Sequence, residues 1–552
     1  MKILLTTLLA WTVANGSSAI LAAEGKPNIV FILADDLGIG DVNCYGGDRC
    51  LIETPNIDSL AAGGVRFMDA HVNASVCAPT RRAIMTGRYA WRFPSAVNSG
   101  PWGFVGPKPG TEKSTLATVL NKAGYRTGYV GKWHLGTTMT TLDSKTQGLT
   151  NVDFTKPLKY GPVQFGFADS FILPGSLDMY PYAFAANNVW QGEVSAQKGW
   201  SAFNRIGPAE KDFLDHEVLE TFYGRAEAFI ASQTPQKPFF LFLALTAPHT
   251  PTSPGINWRG KSKLGVYGDF VMEVDHSVER VMNALKAGGL DNNTLVMFSS
   301  DHGPAAYAGN ILKATPGQMK QLEAMGHFPG GPYRGYKFSI YEGALRVPLI
   351  AKWPATIPAA TTCDSLIGLN DLMATFADLS NTQLSKNEAP DSISFAELLR
   401  NPVATGTRRN LVMQSVVSYA VRDQNWKLCL CPGAGTPAER PGVQNNSHGN
   451  VPTPEDAWRQ ALDQFGKVPT DADLLRPPFV QLFDLASDPH EDHNVAAQHT
   501  NRVKSMVKLL QRQVNQGRST PGSSLQNDRT VRLVNAIDRR LPAFVRERLM
   551  PR

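Results

Sequence analysis

Four short apolar runs stand out in the first 300 residues: Asn28 to Ala34 (NIVFILA), Tyr125 to Val130, Phe239 to Leu245 and Leu295 to Ser300. They are rich in Val, Ile, Leu and Phe and read as strands buried on both faces, as in a parallel sheet. Between them apolar positions recur at helical spacing over Asn56 to Gly63, Thr115 to Ala123, Asp215 to Ser232 and Tyr267 to Ala287. Alternating strand and helix predicts an α/β fold with one large, doubly wound, mostly parallel sheet.

After about residue 400 the pattern changes. A hairpin-like stretch (Leu411 to Leu430), a Pro/Gly/Asn-rich loop (Pro432 to Pro454) and an amphipathic helix from about Thr500 to Gln516 predict a smaller α+β domain. The expected division is a leader over 1–23, the main domain over 24–400, and the smaller domain with its tail over 401–552. The stretch from Thr137 to Trp200 has little periodicity and many aromatics, so it is expected to form an elaborated loop region.

In open α/β sheets, ligands bind outside the carboxyl ends of the strands. Asp35 and Asp36 follow the first run, and Lys132 and His134 (GKWHLG) the second. His249 (TAPHTP) follows the third, and Asp301 and His302 (SDHGP) the fourth. Any one of these is more often a turn or a cap than a site. Four strand ends that all offer metal- or anion-binding groups argue against four independent turns.

Composition narrows the classes. The net charge of +6 over 552 residues is dispersed, without the basic clusters of a nucleic-acid binder. Lys2, the apolar run Ile3 to Val13, and Ser17-Ser18-Ala19 or Leu21-Ala22-Ala23 read as a secretion signal. That run is too short to span a bilayer, and no later segment is long and apolar enough. An exported chain, periplasmic or secreted, is expected. Of the six cysteines, Cys44 and Cys50 are spaced for a short disulfide loop.

Cys77-Ala78-Pro79-Thr80-Arg81 adds a candidate nucleophile. Pro79 suits a first helical turn and Gly87 a helix C-terminus, which places Cys77 at the start of a helix. Backbone N–H groups and the helix dipole favour anions there, and Arg81, one turn on, adds a fixed positive charge.

These segments together resemble the type I, formylglycine-dependent sulfatases of the alkaline phosphatase superfamily. CAPTR matches their C-x-P-x-R signature, followed by Thr86-Gly87-Arg88. NIVFILADDLGIGD, TPNIDSLAAGGVRF, GKWHLG, TAPHTP, SDHGP, KFSIYEGALRVPLI and VQLFDLASDPHEDHNVA resemble further family blocks, in order along the chain. The resemblance implies that a formylglycine-generating enzyme oxidises Cys77 during export and that the aldehyde is hydrated. One diol oxygen would bind the metal and attack sulfur. The other would lose its proton, so that the aldehyde reforms and sulfate leaves.

By motif matching, Asp35, Asp36, Asp301 and His302 would hold that metal with the Cys77-derived oxygen. Three carboxylates favour calcium, with magnesium second. His302 stands where many members carry Asn, which softens the donor set. Arg81 and His134 would orient and activate the diol. Lys132, His249 and Lys337 would bind sulfate oxygens or protonate the leaving oxygen.

The nearest alternative is a phosphodiesterase or phosphonate monoester hydrolase of the same superfamily. Phosphatases of that superfamily generally place a second metal where this chain has lysines, which favours sulfate. A glycan-binding protein with a dead site is the reading from another class, and the full set of motif residues argues against it. The expected substrate is a sulfated sugar, because Tyr180, Tyr182, Phe184, Trp190 and Trp200 would suit sugar rings. GDVNCYGG and YAWR resemble bacterial enzymes for sulfated polysaccharides, with 6-sulfated galactose or N-acetylgalactosamine first.

Overall fold

The computed structural model describes residues 25–93, 102–104, 106, 114–199, 204–308, 318–415, 418–431, 433–435 and 480–531. The leader, Trp200 and most of the loop after Pro432 lie outside them.

A ten-stranded sheet organises the chain. Its strands are β1 (Asn28–Asp35), β2 (Val65–Phe67), β3 (Arg126–Lys132), β4 (Asp169–Leu173), β5 (Ala185–Ala186), β6 (Val189–Trp190), β7 (Phe239–Pro248), β8 (Thr294–Ser300), β9 (Leu349–Lys352) and β10 (Thr361–Cys363). The order is β10-β2-β9-β8-β1-β7-β3-β4-β5-β6. The five central strands, β8 to β4, run parallel. Every residue of β1, β7 and β8 is buried, which explains why these strands read as continuous apolar runs.

The predicted helices are present as α1 (Pro55–Ala62), α2 (Cys77–Thr86), α3 (Leu116–Lys122), α4 (Val218–Ala231) and α5 (Gly265–Ala287). Cys77 is the first residue of α2, with Val76 as N-cap, and Gly87 ends the helix in the left-handed region at φ 60°. The expected large sheet with a smaller C-terminal α+β unit is therefore observed. That unit is a four-stranded antiparallel sheet of β11 (Asn410–Gln414), β12 (Tyr419–Asp423), β13 (Trp426–Cys429) and β14 (Gln481–Asp484), with α6 (Thr500–Gln516) against it.

The small sheet helps to hold the segment that leads into Cys77. Ser75 donates its N–H to the Gln414 carbonyl (3.0 Å), and Gln414 donates to Asn73 (2.9 Å). Beside this seam, the carboxylates of Asp69 and Glu342 and the imidazole of His71 form a group that could hold a cation. Arg346, Arg422 and Lys427 already supply it with positive charge. It is a structural ion-pair network. Cys44 and Cys50 are free thiols, not the short disulfide that their spacing suggests, and the Cys50 thiol donates to the Ile52 carbonyl. Among the described residues no helix is long and apolar enough to cross a membrane.

Candidate active site

Each central strand delivers its groups as the chain leaves the sheet. Asp35 is the last residue of β1, and Asp36 turns away at φ 63°. Lys132 ends β3 and His134 follows at φ 54°. Non-glycine residues seldom adopt this conformation, and it recurs at functional sites. Gly131 shows how closely the strands approach there: a Cβ on it would lie 1.8 Å from the Ala244 carbonyl oxygen of β7.

Asp35, Asp36, Cys77, Asp301 and His302 converge, with one ligand atom from each within 4.8 Å of the others. All five are buried. Cys77 Sγ lies 3.2 Å from His302 Nε2 and 4.0 Å from Asp36 Oδ1. His302 Nδ1 is 2.9 Å from the Gly303 carbonyl, which can only accept, so that nitrogen carries the proton. Its Nε2 is then the nitrogen available to a metal, 3.2 Å from Asp36 Oδ1 and 3.5 Å from Asp301 Oδ1. Asp35 Oδ1 is buried with no hydrogen-bond partner among the described residues. Converging lone pairs and an orphaned carboxylate oxygen are what a bound cation resolves. A second histidine nitrogen committed to a backbone carbonyl is typical of metal ligands. The donor set therefore fits a metal.

Three cations surround this group. Lys132 Nζ is hydrogen-bonded to Asp35. Lys337 Nζ contacts both Asp36 oxygens (2.7 and 2.9 Å) and stands 3.4 Å from Cys77 Sγ. Arg81 donates from Nε to Asp301 (3.0 Å) and from NH1 to the Lys132 carbonyl (3.1 Å), while its buried NH2 has no hydrogen-bond partner among the described residues. Burial alone would raise the Asp35 carboxyl, but the charges of Lys132 and Arg81 hold it well below the usual range. Burial raises Asp36 despite Lys337, and pushes the Cys77 thiol well up.

His134 and His249 are kept neutral. Burial, then the charges of Lys132 and Arg81, pull His134 well below the ordinary imidazole value. His249 follows the cis Ala247-Pro248 bond at the end of β7 and is lowered by burial, Lys337 and Lys132. Its Nδ1 lies 2.6 Å from the Thr250 carbonyl, so Nε2 is the nitrogen that faces Asp36 at 3.8 Å.

All ten residues singled out in the sequence thus lie in or against one buried cluster. One neighbour was missed. Asp178 is buried, bound through Oδ2 to Arg205 NH1 (3.0 Å), and its Oδ1 stands 3.9 Å from His249 Nδ1. It lies on the loop after β4, a strand not recognised in the sequence. The expected sugar-facing aromatics are instead packed. Tyr180 packs against Phe104, the Tyr182 hydroxyl donates to the Arg205 carbonyl, and Phe184 and Trp190 pack on other rings.

Comparison with known proteins agrees with this geometry. A family model described as Sulfatase matches residues 27–382. An N-acetylgalactosamine-6-O-sulfatase of Bacteroides thetaiotaomicron is 30% identical over 531 residues, spanning 88% of this chain and 93% of that protein. Human arylsulfatase A is 30% identical over 505 residues, 89% of this chain and 88% of its own. A solved structure described with the metabolism of multiple glycosaminoglycans by Bacteroides thetaiotaomicron superposes with a TM-score of 0.72 at 28% identity. It covers 88% of this chain and 99% of its own.

Proposed function

The chain belongs to the sulfatase family and is a sulfatase, and from that premise we propose that it hydrolyses a sulfate ester of a carbohydrate through a formylglycine made from Cys77. The observation that carries this reading is the position of Cys77. It is the first residue of α2, within 3.4 Å of both Lys337 and His302 and beside three carboxylates. A bound divalent cation, calcium with magnesium second, would supply Lewis acidity and further positive charge at the nucleophile, held by Asp35, Asp36, Asp301 and His302.

The chain's own groups divide the remaining work. Arg81 has an uncommitted NH2 beside Asp35, and with His134 it would orient the hydrated aldehyde. Lys132, Lys337 and His249 would hold the sulfate oxygens, one of them giving its proton to the leaving alcohol. On losing its proton, the second hydroxyl of the hydrate would re-form the aldehyde as the C–O bond to sulfate breaks, an exit that a plain serine or cysteine lacks. Fixed cations around a charge that grows in the transition state supply the main stabilisation.

Charge favours this substrate class. Lys132, Lys337 and Arg81 already match Asp35, Asp36 and Asp301, so a divalent cation would leave the pocket net positive for an anionic ester. The lysines that pair with Asp35 and Asp36 also favour sulfate over the phosphodiester or phosphonate alternative. The named activity of the Bacteroides relative supports 6-sulfated N-acetylgalactosamine as the first substrate. The leader over 1–23 supports export, where the modifying enzyme would meet the chain.

Two measurements test the proposal. The mass of the tryptic peptide containing Cys77 should be that of the aldehyde or its hydrate in active protein. Unmodified cysteine in fully active protein would refute it. On a panel of sulfated sugars, aryl sulfates and aryl phosphate diesters, the sulfated sugars should be preferred, led by the 6-sulfated galacto series. Preference for the diester would favour the alternative activity.

A further inference from the structure

A cavity of about 720 Å³ is lined by none of the residues of the catalytic cluster. It lies between the first turns of α4, the loop 255–261, and the first half of α5. Because α4 leads into β7 and α5 leads away from it, these segments lie at the end of the sheet that carries the active site. The loop that begins at His249 reaches the cavity at Trp258.

The walls differ in kind from the catalytic cluster. Trp258 is half-buried, its indole N–H makes no hydrogen bond among the described residues, and its ring leans on His276 with centroids 5.0 Å apart. Glu273 is only 1% exposed. Its Oε2 accepts from the Gly255 N–H (2.8 Å), Oε1 makes no hydrogen bond among the described residues, and the residue lines the cavity. Burial raises its carboxyl to about 8, against the Gly255 hydrogen bond, so it carries a proton to offer at neutral pH. Arg280 is bound to Glu227, which leaves Lys261 to face Glu217 and Glu220. This surface has no excess of positive charge with which to draw a sulfate.

We propose that this cavity binds an uncharged pyranose unit, its apolar face on Trp258 and its hydroxyls on Glu273 and Glu220. Aromatic walls with a few placed polar groups are the usual make-up of a small-ligand site. The inference rests on the sulfated-carbohydrate reading above, and gives the unsulfated part of the same glycan a place to anchor. The catalytic cluster would take the charged unit and this cavity a neutral one.

Binding is measured without turnover, by calorimetry and saturation-transfer NMR. The probes are neutral galacto-, gluco- and N-acetylhexosamine oligosaccharides, titrated into wild type, Trp258→Ala and Trp258→Phe. At least one series should bind wild type, weaken about tenfold or more in Trp258→Ala, and be largely retained in Trp258→Phe. Trp258→Ala should lower kcat/KM on a sulfated polymer but leave kcat/KM on a sulfated monosaccharide unchanged. Failure of every neutral series to bind wild type overturns the inference, as does equal binding by Trp258→Ala. Absence of turnover on all sulfated sugars, with neutral oligosaccharides still bound, would instead sink the substrate reading and leave the cavity's ligand standing.

Discussion

Lys337 places its ammonium 2.7 and 2.9 Å from the two carboxylate oxygens of Asp36 and 3.4 Å from the sulfur of Cys77. One cation thus serves both a proposed metal ligand and the proposed nucleophile. With Lys132 on Asp35 and Arg81 on Asp301, it lets three buried carboxylates coexist. Chelation should therefore abolish turnover yet lower the melting temperature by only a few degrees. A ligand stabilises the fold by about 2.7 kcal/mol at a hundred times its Kd. In Lys337→Ala the same chelation should cost markedly more stability, because Asp36 loses its only cation at hydrogen-bond distance among the described residues. Equal melting shifts in the two proteins would refute this account of charge compensation.

His249 and Arg81 should separate rate from stability. Among the described residues, His249 makes its one close hydrogen bond to its neighbour Thr250. His249→Ala should lower kcat about 10²- to 10³-fold, near 3 kcal/mol, with metal content retained. Arg81 is bound to Asp301 and to the Lys132 carbonyl, both buried. Arg81→Ala should lose comparable rate and also about 3–5 kcal/mol of stability, the usual cost of stranding one half of a buried pair. Thermal melts and metal analysis beside kinetics decide it. A stable, metal-replete Arg81→Ala protein would contradict the structural half of that role.

The site was legible in the sequence because long, fully buried strands announce themselves and their ends hold the chemistry. β1, β7 and β8 carry continuous apolar runs, and Asp35, Asp36, His249, Asp301 and His302 follow from reading on past them. Two-residue strands such as β5 and β6 carry no periodicity. β4 opens on a half-buried Asp169 at the edge of the parallel set, so it and the Asp178 that follows were overlooked. Lys337 follows no strand. It is placed by its backbone N–H to the Pro304 carbonyl (2.8 Å), a long-range contact that local pattern does not encode, and only the family resemblance pointed to it. The aromatics of 180–190 misled because packing and sugar binding demand the same residues.

Glu273 makes stability depend on pH outside the catalytic cluster. Its folded value of about 8 lies above the ordinary 4.5, through burial and the nearby Glu220 carboxylate. Between those values the folded chain holds a proton that the unfolded chain has released. Its contribution is therefore full at low pH, falls as pH rises through the window, and is lost above about pH 8. Glu273→Gln keeps an acceptor for the Gly255 N–H and does not titrate. The variant should match wild type near pH 4.5 and gain on it up to pH 8, by at most about 5 kcal/mol. Melting temperatures of both proteins across pH 4 to 9 check this. A difference independent of pH would show that Glu273 is not protonated in the folded state.

His302 should set which metal the site prefers. Its Nδ1 proton is committed to Gly303, so Nε2 presents a lone pair beside the oxygens of Asp36 and Asp301. An imidazole among carboxylates suits first-row transition ions better than an all-oxygen set does, while calcium favours oxygen donors. In His302→Asn the amide oxygen restores a hard donor of similar reach. Metal-free variant and wild type, titrated by calorimetry with calcium and with nickel, should diverge. Nickel affinity should fall about tenfold or more in the variant, whereas calcium affinity should hold or rise. Because binding is read directly, the outcome does not depend on conversion of Cys77. Parallel loss of both ions would mean that His302 shapes the site without donating to the metal, and the ligand set would then reduce to the three carboxylates and the residue at 77.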